Sequence, residues 1–184
     1  MNEVLSTIKN RRSVRKYKSE QISEEDLKLI LEAGIYAPSA HNQQTWHFTV
    51  IQSPELLRNI NNIVREGMAN SEVEWIHKMG SNPDFQVTYD APTLIVVSGK
   101  ADGIAWQTDC SAAIQNMLLA AESLGIGSVW LGLLRFYFNN EQELPGLGIP
   151  EGYVPHYGVS FGYNANEKKL PAPRRNLEVV NYIR

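Results

Sequence analysis

The sequence predicts an α+β fold, on three observations. Helical and strand patterns are dispersed along its 184 residues without the strict strand-helix-strand alternation that builds a parallel sheet. Residues 93–98, TLIVVS, form a continuous apolar run of strand length, the pattern of a strand covered on both faces. Residues 108–124 place Ala113, Ile114, Met117, Leu118, Ala121 and Leu124 at helical spacing, so a long helix is available to cover that sheet. The length suits one domain spanning residues 1–184, and a hydrophobic content of 43% beside a charged content of 20% is that of an ordinary soluble globule.

The elements follow in chain order. Residues 2–10 put Val4, Leu5 and Ile8 on one helical face. Ser23 is placed to cap a second helix, with Asp26 completing a shortened capping box and Leu27, Ile30 and Leu31 as the apolar stripe; Gly34 and Pro38 close it. Residues 46–52, WHFTVIQ, alternate and carry β-branched and aromatic side chains, so they read as a strand. Pro54 suits the first turn of a third helix bearing Leu56, Leu57, Ile60, Ile63 and Val64. The polar stretch 67–90, with scattered Trp75, Ile76 and Met79, is expected to form a lid or a mobile arm. Gly125 stops the long helix, and SVWLG (128–132) and HYGVSFGY (156–163) follow as strands. Residues 164–175 are a loop by composition. The last segment, NLEVVNYIR, has Leu177, Val179, Val180 and Ile183 in too short a run to stand alone, so it must dock on its own core or on another chain.

Charge narrows the function classes. A chain of formal net charge −3 carries a local basic run, Arg11, Arg12, Arg15, Lys16 and Lys18. A nucleic-acid binder spreads positive charge over its domain to neutralise many phosphates together. Here acidic residues return at once in residues 23–27, SEEDL, so the reading is no nucleic-acid partner and one small anion. No apolar stretch approaches the roughly 20 residues a bilayer span needs, so no membrane partner is expected. Cys110 is the single cysteine, which excludes an internal disulfide and favours a cytoplasmic location. GVSFG (158–162) matches a hydrolase nucleophile elbow, but no helical pattern follows Ser160 and the last histidine, His156, precedes it; the glycines read as close-packing positions. His41, His47, His77 and His156 lack metal-ligand spacing, and neither common glycine-rich phosphate loop is present.

What remains is a constellation. Arg174 and Arg175 form a second cationic pair near the C-terminus, so clusters from both chain ends are available to clamp one phosphate. Between them in sequence lies APSAHNQQTW (37–46), whose amides donate and accept hydrogen bonds as a heterocycle requires.

These segments resemble the FMN-dependent nitroreductases over nearly the whole chain. RRSVRKY (11–17) is similar to that family's N-terminal flavin motif, APSAHNQQTWHF (37–48) to its amide loop, LGIGSVWLG (124–132) to its central strand, and FGYN with PAPRRNLEVV to its C-terminal phosphate end. The resemblance implies a nitroreductase-like α+β fold with a central mixed, mostly antiparallel sheet flanked by helices, in an intertwined homodimer. It implies FMN as cofactor, NADH or NADPH as electron donor and a small electron-poor acceptor such as a nitroaromatic or quinone, reduced in a ping-pong cycle. A non-catalytic FMN sensor or store, or another reductive reaction on the same fold, is the alternative.

By position, the resemblance implies that Arg11 and Ser13 hold the FMN phosphate with Arg174 or Arg175, that Arg12 lies along the ribityl chain, and that Arg15 sits near N1 and O2 of the ring. A fixed cation there stabilises the negative charge of the reduced flavin. The resemblance further implies that Pro38, Ser39, Ala40, Asn42 and Gln44 come from the partner subunit and that backbone groups of Val129, Trp130, Leu131 and Gly132 face the ring near N5. No side chain is required as a catalytic acid, base or nucleophile. Thr45 replaces the proline usual before Trp46, a change expected to loosen the loop, and His41 replaces a small residue and is expected to project into the pocket.

Overall fold

The computed structural model describes residues 2–166 and 171–184. Four strands, β1 (Trp46–Ile51), β2 (Thr93–Lys100), β3 (Gly127–Leu131) and β4 (Tyr153–Gly162), make one sheet in the order β1-β2-β4-β3, with every neighbouring pair antiparallel. The parallel pairing is a single bridge, Ser13 to Ser128, by which the basic segment joins the outer edge of β3. Among the described residues six α-helices accompany the sheet: α1 (Glu3–Asn10), α2 (Glu24–Ile35), α3 (Pro54–Ala69), α4 (Glu74–Gly80), α5 (Trp106–Ser123) and α6 (Arg135–Phe138).

Alternation along β2 divides the core in two. Ile95 and Val97 point to one face, where Val159, Phe161, Ile30, Ile114 and Met117 pack around them from β4, α2 and α5. Leu94 and Val96 point to the other, against Ile60 and Val64 of α3, Ile76 of α4, Leu134 and Tyr137. The continuous apolar run of β2 is thereby covered on both faces, as its composition predicts. Gly158 of the GVSFG motif lets β4 pass under Leu134, which a Cβ would strike. Ser160 is buried and donates to the Thr88 carbonyl at 3.0 Å, a structural bond that leaves no exposed nucleophile.

Local signals hold at most helix ends. The Ser23 hydroxyl accepts from the Asp26 N–H at 3.0 Å and donates to the Asp26 carboxylate at 2.7 Å. Pro54 opens α3 behind the Ser53 cap, and Gly125 adopts φ 75° after α5. Gly34 is a correction, since it lies inside α2 rather than beyond it; its missing Cβ makes room for Met117 and Phe48. Residues 67–90 are also not a loose arm. They continue α3 to Ala69 and form α4, which buries Ile76 and brings His77 Nδ1 within 2.6 Å of the Ala69 carbonyl.

Among the described residues, both chain ends leave most of their apolar side chains exposed. No residue of α1 is buried, and Val4 is 65% exposed. Residues 171–184 form no regular element, and Leu177, Val179, Val180 and Ile183 stand in solvent, so the last segment does not dock on its own core. The middle of the predicted loop, residues 167–170, lies outside the described residues. No helix among the described residues is long and apolar enough to cross a membrane.

Candidate active site

The sheet edge positions the basic run. The Val14 N–H donates to the Ser128 carbonyl at 3.0 Å and the Lys18 N–H to the Tyr163 carbonyl at 2.9 Å, while Lys16 accepts from the Ala165 N–H at 3.0 Å. Residues 13–18 are therefore laid along β3 and the end of β4. Val14 turns inward, and a Cβ on Gly127 would stand 3.0 Å from it, so the glycine permits the close approach. Arg15 turns outward, its guanidinium 5.8 Å from the centre of the Tyr89 ring. The Tyr17 hydroxyl donates to the Val14 carbonyl at 2.7 Å, and burial pushes its pKa upward.

Arg15 joins two cavities. One, of about 350 Å³, is lined by Arg11, Arg12, Ser13, Arg15 and Arg175 with Pro171 and Pro173. Burial lowers the Arg11 pKa, and the neighbouring charges of Arg12 and Arg175 act in the same direction, opposed by Glu122. Like charges are thus confined where a bound anion would relieve them. Arg12 donates through Nη1 to the carbonyls of Lys9 and Arg11, at 2.8 and 2.7 Å, while its Nε is buried without a partner. Arg174 and Arg175 both line a neighbouring pocket with Asn176, Leu177 and Glu178, but only Arg175 of that pair also lines the corner with Arg11.

The second cavity, of about 480 Å³, opens beside the strand β3. The Val129, Trp130, Leu131 and Gly132 stretch forms its floor, and Arg15, Trp75, Tyr89, Arg135 and His156 stand around it. Beyond Gly132 an added Cβ would meet nothing within 4 Å, so its backbone faces open space. Among the described residues, no carboxylate lines either cavity. Tyr89 and Asp90 both have positive φ, 55° and 57°, a strained conformation of the kind that gathers at ligand clamps. The His156 ring lies 3.1 Å from Ser111 Oγ and packs edge-on against Trp106 and Tyr157; burial lowers its pKa.

The amide loop occupies another part of the chain's surface. Pro38, Ser39, Ala40, Asn42 and Gln44 line neither cavity of their own chain, and Asn42 and Gln44 are exposed. His41 is likewise exposed and does not project into either cavity of its own chain. His41, Asn42 and Gln44 have φ of 51°, 53° and 48°. That strained path is held by Asp109, which is 3% exposed: one carboxylate oxygen accepts from the Ala40 N–H at 3.1 Å, the other from the Thr45 hydroxyl at 3.0 Å. Against the expectation that Thr45 loosens the loop stands its hydroxyl, which ties the loop to α5. Cys110, next along, is buried with its thiol pKa pushed up to about 12 by desolvation and then by Asp109, which suits an inert residue.

Sequence reasoning missed Asp109, Arg135 and His156 as parts of this region and reached Trp75 and Tyr89 only through the stretch 67–90 expected to form a lid. Asp109 had one local sign, an acid in the first turn of the longest helix; Arg135 and His156 had none, because only the fold gathers them.

Fold and site together define a class: an α+β protein in which one arginine links a cationic corner to an aromatic trough at the edge of an antiparallel sheet. The chain belongs to the nitroreductase family, whose model matches residues 8–163. It is similar to a candidate NADH dehydrogenase/NAD(P)H nitroreductase of Archaeoglobus fulgidus, 40% identical over 172 residues that cover 91% of this chain and 89% of that protein. It is also similar to two solved nitroreductases with bound FMN. That of Bacteroides fragilis is 37% identical at TM-score 0.91, and that of Desulfitobacterium hafniense 30% identical at TM-score 0.90, each alignment covering 100% of both chains.

Proposed function

We propose that this chain is an FMN-dependent NAD(P)H oxidoreductase, a single cytoplasmic FMN-binding domain that works as a homodimer. The observation that carries the reading is the junction at Arg15 between the cationic corner and the trough. The donor set suits the cofactor: two guanidiniums and a serine for the phosphate, a buried Arg12 Nε still lacking an acceptor, and an open backbone at Gly132 for a flat ring. Arg11, Ser13 and Arg175 would hold the phosphate, Arg12 the ribityl side, Arg15 the N1 and O2 edge, and Val129 to Gly132 the N5 side. Pro38, Ser39, Ala40, Asn42 and Gln44 would reach the cofactor of the partner subunit, which fits their separation from both cavities of their own chain. The exposed α1 face and C-terminal arm supply the apolar surface such a dimer buries.

FMN held by these residues would supply two-electron redox chemistry between NADH or NADPH and an electron-poor acceptor such as a nitroaromatic or quinone. The protein's part is positional and electrostatic. Arg15 places a fixed cation where negative charge accumulates, which lowers the free energy of the reduced form more than that of the oxidised one. The trough walls orient a flat molecule over that edge. One open trough serves donor and acceptor in turn, which is the basis of a ping-pong order.

The test is an absorbance spectrum of the purified protein after FMN loading and removal of excess, followed by anaerobic NADH and then NADPH. Retained flavin bands that bleach with either donor support the enzyme; retained bands that persist would favour a sensor or store; absence of bands would overturn the cofactor assignment. In the same assay Arg15→Ala is expected to slow flavin reduction about tenfold while FMN affinity changes less, since its charge matters most in the reduced state. Equal loss of both would remove Arg15 from the N1 and O2 edge.

A further inference from the structure

The trough holds a cation that the flavin assignment does not use. Arg135, the first residue of α6, is exposed, lines the same cavity as Arg15, and has no ion pair among the described residues. Its guanidinium is held over the Phe136 ring at 5.3 Å, which restrains the side chain without neutralising it. On the same cavity stands Trp75, 57% exposed although its neighbour Ile76 is buried at 1%, so α4 anchors on one side and leaves an indole bare on the other. A bare indole and an uncommitted guanidinium on one acid-free cavity present a stacking surface and a carboxylate or phosphate fork to the same visitor.

We propose that Arg135 and Trp75 form an acceptor subsite selecting flat aromatic molecules that carry an anionic group, with the ring against Trp75 and the anion on Arg135. The proposal rests on the assignment of Arg15 and Val129 to Gly132 to the flavin, because that assignment leaves Arg135 as the trough's free cation. An acceptor seated this way presents its ring to the trough while its charge stays at the mouth, where desolvation costs least. The same fork would also accept a phosphate of a reduced dinucleotide, and the arms of the test separate the two.

The experiment compares 4-nitrobenzoate with neutral 4-nitrobenzyl alcohol as acceptors, and NADPH with NADH as donors, for the holoenzyme and its Arg135→Gln, Arg135→Lys and Trp75→Leu variants. For an anionic acceptor subsite, Arg135→Gln raises the KM for 4-nitrobenzoate about fivefold and leaves that for the alcohol unchanged, the effect of one solvent-facing ion pair. Arg135→Lys recovers part of the loss, Trp75→Leu raises both acceptor KM values, and added salt shrinks the preference of the wild type. A change confined to the NADPH KM would move the anion to the donor and overturn the acceptor assignment. Equal shifts for both acceptors, or none, would overturn the subsite. Calorimetric titration with benzoate, which is not reduced, reads the Arg135 contact without turnover, and the wild type is expected to bind it about fivefold more tightly than Arg135→Gln. Failure of the flavin reading shows separately, as a purified chain that retains no FMN, and the benzoate titration still tests Arg135 on that chain.

Discussion

The two cationic segments differ in charge and in how they are held, residues 11–18 carrying Arg11, Arg12, Arg15, Lys16 and Lys18 without an acid and residues 171–184 carrying Arg174, Arg175 and Arg184 beside Glu178. Residues 11–18 are pinned at the sheet edge by backbone bonds to Ser128 and Tyr163 and by Val14 packed against Gly127. Residues 171–184 bring Arg175 to the same corner, yet beyond it the chain runs with no regular element and its apolar side chains in solvent. One half of the proposed anion clamp is thus built by the fold of a single chain. The other half ends in an arm that the proposed dimer would bury, so on that reading cofactor retention and subunit association are expected to depend on each other.

Deleting residues 171–184 cuts the comparison at its weakest point and has the largest expected effect. FMN retention through gel filtration falls by at least about tenfold, the scale of one lost charge-assisted contact, and sedimentation shows a monomer. A truncated dimer that keeps its flavin would place the clamp wholly on residues 11–18. Gly127→Val attacks the pinned half instead. Its branched side chain displaces Val14, costing about 2 kcal/mol in urea unfolding and weakening FMN through the shifted arginines. Unchanged stability would mean that the segment has slack.

The amide loop is pinned in the manner of the first segment, through Asp109. Thr45→Val removes the buried donor to that carboxylate at nearly constant shape and is expected to cost about 2 kcal/mol of stability. If Thr45→Pro instead stabilises the protein, the hydroxyl is incidental to the loop's path.

The smallest effect is a pH dependence. His156 has a pKa lowered below its ordinary value of 6.5 because burial disfavours its charged form. The unfolded chain therefore binds the proton more readily, and stability falls as pH drops from 6.5 through the lowered folded value. His156→Gln is expected to flatten that part of the curve in thermal melts across pH 5 to 7. An identical slope in the variant would assign the acid sensitivity to other groups.

Much of the architecture was legible along the chain because it rests on short-range patterns. The alternation of β1, the apolar run of β2, the spacing of α5, the Ser23 cap and the stop at Gly125 each need only neighbours within a few positions. The arginines of both ends and the amide loop were legible as chemistry, through their residue types and order. Gly34 misled because a glycine at a helix end and a glycine admitting a packed side chain look alike until Met117 and Phe48 are in place.

Other assignments required the folded chain. Thr45 and Ala40 meet Asp109 across 64 and 69 positions, a pairing that no local pattern encodes. The choice of Arg175 over Arg174, the bare face of Trp75 and the uncommitted charge of Arg135 likewise depend on which residues a long-range path places together. Side-chain periodicity specifies which face of an element turns inward, since burial of that face drives folding. Which distant groups then share a cavity is decided by the packing of those faces against one another, and that is where the chemistry of this protein resides.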